Sequence, residues 1–260
     1  GGETPTPTEA PAVVEPTEAP TEVPEPEPTE VPEPEEPEIV EPETLDPAFL
    51  DENYSTMLAE MQGYNTINAE GLMEELVSDT PPFLLDVRTA GEVEENGHIS
   101  GAVHMPLENL TQAMNMLPGV DDPIVVYCGS GWRATIAMTS LHGMGWKNVR
   151  ALKTSFADWV AAGNPVTDGL PGPAPANMMA YPQPLIDTFD ASMAIYGVKP
   201  FGVIDAEALN TALVENSDMI LIDVRTPGEL EEKGVIDAGD VQLVTIPLED
   251  FVASKDQWPA

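Results

Sequence analysis

From Ala69 to Val77, the apolar residues Leu72, Met73, Leu76 and Val77 recur at helical spacing, which predicts a short helix with one buried face. The run Phe83-Leu84-Leu85-Asp86-Val87 is too short for a helix and predicts a buried strand. A loop carrying Gly91, Gly97 and Gly101 leads to Ala102-Val103-His104-Met105, then to a helical stretch from Glu108 to Met116. Ile124-Val125-Val126-Tyr127 predicts a second strongly apolar strand. Beyond it come a helix from Ala134 to Met144, a strand from Asn148 to Leu152 and a last helix from Phe156 to Ala162, stopped by Gly163 and Pro165. Strands alternating with helices predict an α/β fold, a parallel sheet flanked by helices on both faces, whose ligands bind beyond the carboxyl ends of the strands. Cys128 falls at such an end.

The pattern occurs twice. Residues 66 to 97, TINAEGLMEELVSDTPPFLLDVRTAGEVEENG, and residues 203 to 234, VIDAEALNTALVENSDMILIDVRTPGELEEKG, match at a constant offset of 137 residues, pairing Asp86 with Asp223, Arg88 with Arg225, Glu92 with Glu229 and Gly97 with Gly234. This is a tandem duplication. After Gly97 the copies diverge, HISGAVHMPL becoming VIDAGDVQLVTIPL, and PIVVYCGSGWRA has no second version in the 260 residues. The expected organisation is a first unit over 47–168, a Pro-rich linker over 169–184 and a second unit over 185–260 that holds only the N-terminal half of the repeat. Tyr54 to Met61 and Phe189 to Tyr196 read as matching short helices ahead of each copy. A half-unit of this kind is expected to be weakly stable, with exposed apolar edges.

Charge changes the picture at the N-terminus. The chain carries 46 Asp and Glu against 9 Lys and Arg, a formal net charge of -37, which argues against a nucleic-acid partner. Residues 1–46 hold 15 of those acids with 12 prolines and no base, and such a stretch buries too little apolar surface to fold, so it is expected to be a disordered spacer. No apolar run approaches the roughly 20 residues that span a bilayer. A Gly-Gly start followed by a Thr/Glu/Pro spacer is what remains when an export signal is removed, so an extracytoplasmic location is expected, with the spacer available as a tether to a membrane or wall. A single Cys excludes an intrachain disulfide.

That one Cys sits in YCGSGWRA, directly after a predicted buried strand and before a helix. Gly129 and Gly131 let the backbone curl so that its amides, with those of Ser130 and Trp132, form an anion-binding nest, and the helix adds the positive end of its dipole. Such a cradle favours the thiolate, the reactive form of Cys128, and Arg133 adds a guanidinium able to fork onto an anionic donor. Asp86, Arg88 and Glu92 read as a structural ion-pair group, because all three recur in a unit without Cys. His98 reads as a packing and hydrogen-bonding residue with no second ligand beside it, so neither a metal site nor a cofactor is expected. Trp132 reads equally as a pocket wall or as a residue packed on the following helix.

These segments resemble the rhodanese family of sulfurtransferases. LLDVRTAGEVEENGHISGAVHMPL is similar to the family's Asp-Val-Arg and Gly-His-Ile-x-Gly-Ala region, and CGSGWRA to its active-site loop. The resemblance implies that Cys128 takes a sulfane sulfur from a small anionic donor of the thiosulfate or mercaptopyruvate class, holds it as a persulfide on the loop amides and passes it to a thiophilic acceptor. The loop from Cys128 to Arg133 has six residues, one fewer than in phosphatases of the same fold, which disfavours phosphatase or arsenate-reductase chemistry. Cys-Gly-Ser-Gly is similar to the loop of mercaptopyruvate-using members, but the Trp132-Arg133 ending is not theirs. Before the last helix the family has paired glycines followed by Trp, whereas here Lys153-Thr154-Ser155-Phe156-Ala157-Asp158-Trp159 supplies Thr-Ser. The alternative is a non-catalytic module that binds an anion or senses redox state through Cys128.

Overall fold

The computed structural model describes residues 45–172, 181–197, 200–216 and 218–259. The spacer expected over residues 1–46 therefore lies outside the described residues except for Leu45 and Asp46. Asp46 caps α1 (Pro47–Glu60), accepting from the Ala48 N–H at 2.9 Å. After β1 (Thr66–Ile67), Asn68 caps α2 (Ala69–Leu76) in the same way. β2 (Phe83–Asp86) is followed by α3 (Ala90–Asn96), in a stretch whose glycines predicted only loop. A capping box explains the difference. The Glu92 N–H donates to Thr89 Oγ1 while Glu92 Oε2 accepts from the Thr89 N–H at 3.0 Å, so Thr-x-x-Glu starts a helix that Gly91 does not prevent.

β3 (His98–Ile99) and β4 (Val103–His104) come next. The helical stretch expected from Glu108 to Met116 is instead two 3-10 turns, Leu107–Asn109 and Thr111–Met116. Leu107 and Leu110, like Met114 and Leu117, stand three residues apart and are all buried, the spacing that a 3-10 turn places on one side. β5 (Ile124–Tyr127), α4 (Trp132–Gly143), β6 (Val149–Leu152), α5 (Phe156–Ala161) and β7 (Val166–Thr167) follow.

The main sheet has the order β1-β6-β5-β2-β4 with every pairing parallel, while β3 and β7 form a small antiparallel ribbon. Alternate residues of each strand feed two cores, as the period of a strand requires. Leu85, Val87, Ile124, Val126, Val149 and Ala151 face the core that contains α4 and the 3-10 turns. Leu84, Val125, Tyr127 and Leu152 face the core that contains α2 and α5. Helices thus cover both faces, and β5, buried along its whole length, is the central strand.

α6 (Gln183–Tyr196) precedes the second repeat in the chain, yet its Leu185, Phe189 and Met193 are buried in the first unit's core beside α4. Gly143 makes the approach possible, since a Cβ there would stand 2.4 Å from Tyr54 Oη and 2.7 Å from the Phe189 ring. Tyr181, inside the stretch read as linker, stacks on Trp146 at 5.4 Å, and residues 173–180 of that stretch lie outside the described residues. Beyond α6 come α7 (Ala206–Glu215), β8 (Ile220–Asp223), α8 (Pro227–Lys233) and β9 (Gln242–Thr245). β8 and β9 pair in parallel with Asp223 opposite Thr245, as β2 and β4 pair with Asp86 opposite His104.

Candidate active site

The carboxyl end of β5 delivers Cys128, which is 1% exposed. Gly131 adopts φ +98°, a conformation that favours glycine, and turns the chain into α4 while its N–H donates to Cys128 Sγ at 3.1 Å. Phe156, the first residue of α5, donates its N–H to Gly129 O at 3.2 Å and ties the loop to the far side of the sheet. Ser155, in the Thr-Ser that departs from the family's paired glycines, caps α5 by accepting from the Asp158 N–H at 3.0 Å.

Arg133 occupies the first turn of α4 and is buried. Its fork does not stand open for a donor. Nη1 donates to Glu92 Oε2 at 2.6 Å and Nη2 to Glu92 Oε1 at 2.7 Å, a bidentate pair between α4 and α3. The hydrogen bonds from Arg133, assisted by Thr89, pull the Glu92 carboxyl down to about 2 against the opposing effect of burial. Burial also works against the Arg133 charge, but Glu92 and the nearby Cys128 together hold its pKa above the usual value. Gly129 leaves room for the pair, because a Cβ there would lie 3.3 Å from both Arg133 Nη2 and Glu92 Oε1. Glu92 therefore belongs to the loop as much as to α3, a partnership that sequence spacing did not reveal.

Asp86 and Arg88 form a separate buried pair. Arg88 donates from Nε to Asp86 Oδ1 at 3.0 Å and from Nη2 to Asp86 Oδ2 and Gly97 O, both at 2.6 Å. Its guanidinium lies over the Phe156 ring at 3.8 Å, and the Tyr127 hydroxyl accepts from the Ile99 N–H at 2.9 Å. Burial raises the Tyr127 pKa, and the Asp86 charge adds to the effect. His98 Nδ1 donates to Gly169 O at 2.7 Å. Trp132, the first residue of α4, is 59% exposed. A cleft of about 470 Å³, lined in part by Arg88, Glu92, Gly129, Phe156 and Val160, meets the loop at Gly129.

A profile of the rhodanese-like domain matches residues 69–162, from α2 through α5. A protein named sulfurtransferase from Allochromatium vinosum is 30% identical over 102 residues, which cover 39% of this chain and 94% of that protein. The chain belongs to the rhodanese-like family. A rhodanese domain-containing protein from Drosophila melanogaster is also 30% identical, over 101 residues covering 33% of this chain and 91% of its own. Among solved structures, a rhodanese-related protein from Thermoplasma volcanium is similar over 40% of this chain and 98% of its own, at 28% identity and a TM-score of 0.36. The matched rhodanese-like region contains Cys128, Arg133, Glu92, Arg88 and Asp86, and ends before the second repeat.

Outside that region the local geometry recurs. Arg225 donates to Asp223 from Nε at 2.9 Å and from Nη2 at 2.5 Å, and Thr226 with Glu229 repeats the capping box.

Proposed function

We propose that this rhodanese-like chain is a sulfurtransferase in which Cys128 carries the sulfur. The observation that carries the reading is the Gly131 amide directed at Cys128 Sγ, at the carboxyl end of the central strand and the start of α4. Relatives named as sulfurtransferases support the same class. The substrates are a small anionic sulfur donor and a thiophilic acceptor. With thiosulfate, the Cys128 thiolate attacks the sulfane sulfur, the S–S bond of the donor breaks and sulfite departs with its electron pair. The new persulfide sulfur accepts hydrogen bonds from the loop amides, chiefly Gly131, and a nucleophile such as cyanide removes it as thiocyanate, returning the thiolate. Arg133 and Glu92 keep α4 and α3 in register around the loop, and Asp86 with Arg88 fixes the end of β2 beside it.

The second repeat is read as a second rhodanese-like unit represented by its Asp-Arg and capping-box half, supported by the matched hydrogen bonds and parallel register. Residues 1–46 are read as a spacer outside the cytoplasm, supported by composition alone, and cell fractionation with an antibody to the chain tests this.

The test of the activity is intact mass after incubation with thiosulfate and, separately, with mercaptopyruvate. A gain of one sulfur atom, absent from Cys128→Ser and discharged by cyanide, is expected, and the donor that loads the protein is its donor class. No gain from either donor by folded protein with a free thiol overturns the reading in favour of a binding or redox module.

A further inference from the structure

One edge of the Arg133 guanidinium, its two Nη groups, is paired with Glu92, and one face meets an aromatic ring. Its central carbon lies 4.6 Å from the centroid of the Phe201 ring, within the range of a cation–π contact. Phe201 belongs neither to the matched domain nor to its neighbouring elements, but to the turn that leads from α6 into the second repeat.

That turn is held in an unusual shape. Phe201 has φ +62° and Gly202 φ +67°, two left-handed residues in succession, the first of them with a bulky side chain. Such a conformation persists only where its surroundings enforce it. Two contacts do so. The Val203 N–H donates to Pro200 O at 3.2 Å, closing the turn, and a Cβ on Gly202 would stand 2.5 Å from a ring carbon of Tyr196, so only glycine lets the turn lie against that ring. Tyr196 ends α6, which is anchored in the first unit's core through Phe189 and Met193. The core thus reaches through α6 and Tyr196 to Gly202, the neighbour of Phe201 in the turn, and Phe201 meets Arg133 at the start of α4.

We propose that Phe201 is a positioning residue for the Cys128 loop. Its ring holds the Arg133 guanidinium in the plane of the Glu92 fork, so the chemistry of Cys128 depends on the segment that leads into the second repeat. The kinetic part of the test rests on the sulfurtransferase reading, but the reactivity of the thiol does not.

Cys128 is the single cysteine of the 260-residue chain, so its alkylation by iodoacetamide in that chain reports loop geometry without any assumption about substrate. Phe201→Ala is expected to raise that rate about 3–10-fold, Phe201→Leu to raise it nearly as much because Leu offers bulk without a π face, and Phe201→Trp to stay within about twofold of wild type. In an Arg133→Ala background, Phe201→Ala is expected to have no further effect. In thiosulfate–cyanide exchange, Phe201→Ala is expected to lower kcat by a similar factor with little change in KM. The proposal is overturned by wild-type alkylation in Phe201→Ala, by Leu serving as well as Phe, or by an effect that persists undiminished without Arg133. A wild-type protein that gains no sulfur at Cys128 refutes the transferase reading alone, and the alkylation rates still decide the role of Phe201.

Discussion

Arg133 shows how far the role of one side chain depends on a residue distant in sequence. Its guanidinium, free to meet a donor when only CGSGWRA is considered, is committed to Glu92 of α3. Folding lowers the proton affinity of Glu92 from 4.5 to about 2, so the stabilisation from this pair is fully present above pH 4.5 and is lost as pH falls through about 2. The Glu92 side chain is 37% exposed, and solvent screening reduces the contribution to about 1–2 kcal/mol. Glu92→Gln should therefore be less stable than wild type at pH 7 by about that amount, and the difference should shrink by about 1 kcal/mol at pH 3. Urea midpoints of both proteins at the two pH values provide the measurement, and a difference that grows on acidification contradicts the sign of the linkage.

Among the elements, α6 tests where the first unit ends. Its resemblance in position to the helix ahead of the first repeat assigned it to the second unit, but its buried face lies on α4 and the 3-10 turns of the first. Phe189→Ala should lower the stability of the first unit by about 3–4 kcal/mol, read from the fluorescence of buried Trp146 and Trp159 during denaturation. Gly143→Ala should cost about 1–3 kcal/mol in the same assay, because the added methyl meets Tyr54 and Phe189. An unchanged transition in Phe189→Ala would return α6 to the second unit. These two residues also mark what the sequence could convey. β2, β5, α4 and α5 were legible because each is an apolar run or helical stripe with glycine or proline at one or both ends, and β6 because Val149, Ala151 and Leu152 make a short apolar run between polar residues. The 3-10 turns escaped because a period of three is hard to separate from 3.6 over nine residues. The Cys128 loop was legible as a local pattern of glycines after a strand. Its partners Glu92 and Phe201 were not, since each meets Arg133 only through the tertiary fold.

At the scale of the molecule, the two repeats share local bonds but not burial. Val87 is fully buried and its counterpart Val224 is 41% exposed, while Ile99 is fully buried and Ile236 is 43% exposed. Amides of β8 and β9 should accordingly exchange with solvent well before those of β2 and β5, and equal protection of the two sheets would refute this asymmetry. Charge acts over the same scale. With a net charge of -37 and the Arg133 guanidinium paired with Glu92, an anionic donor approaches a strongly acidic chain. Salt shortens the range of its field from about 30 Å at 0.01 M to about 10 Å at 0.1 M. If the chain transfers sulfur, its kcat/KM for thiosulfate should rise several-fold over that interval, while alkylation of Cys128 by neutral iodoacetamide should barely change. A fall in kcat/KM would mean that a local positive potential outweighs the acidic exterior, and Arg133→Ala would then show whether the paired guanidinium is its source.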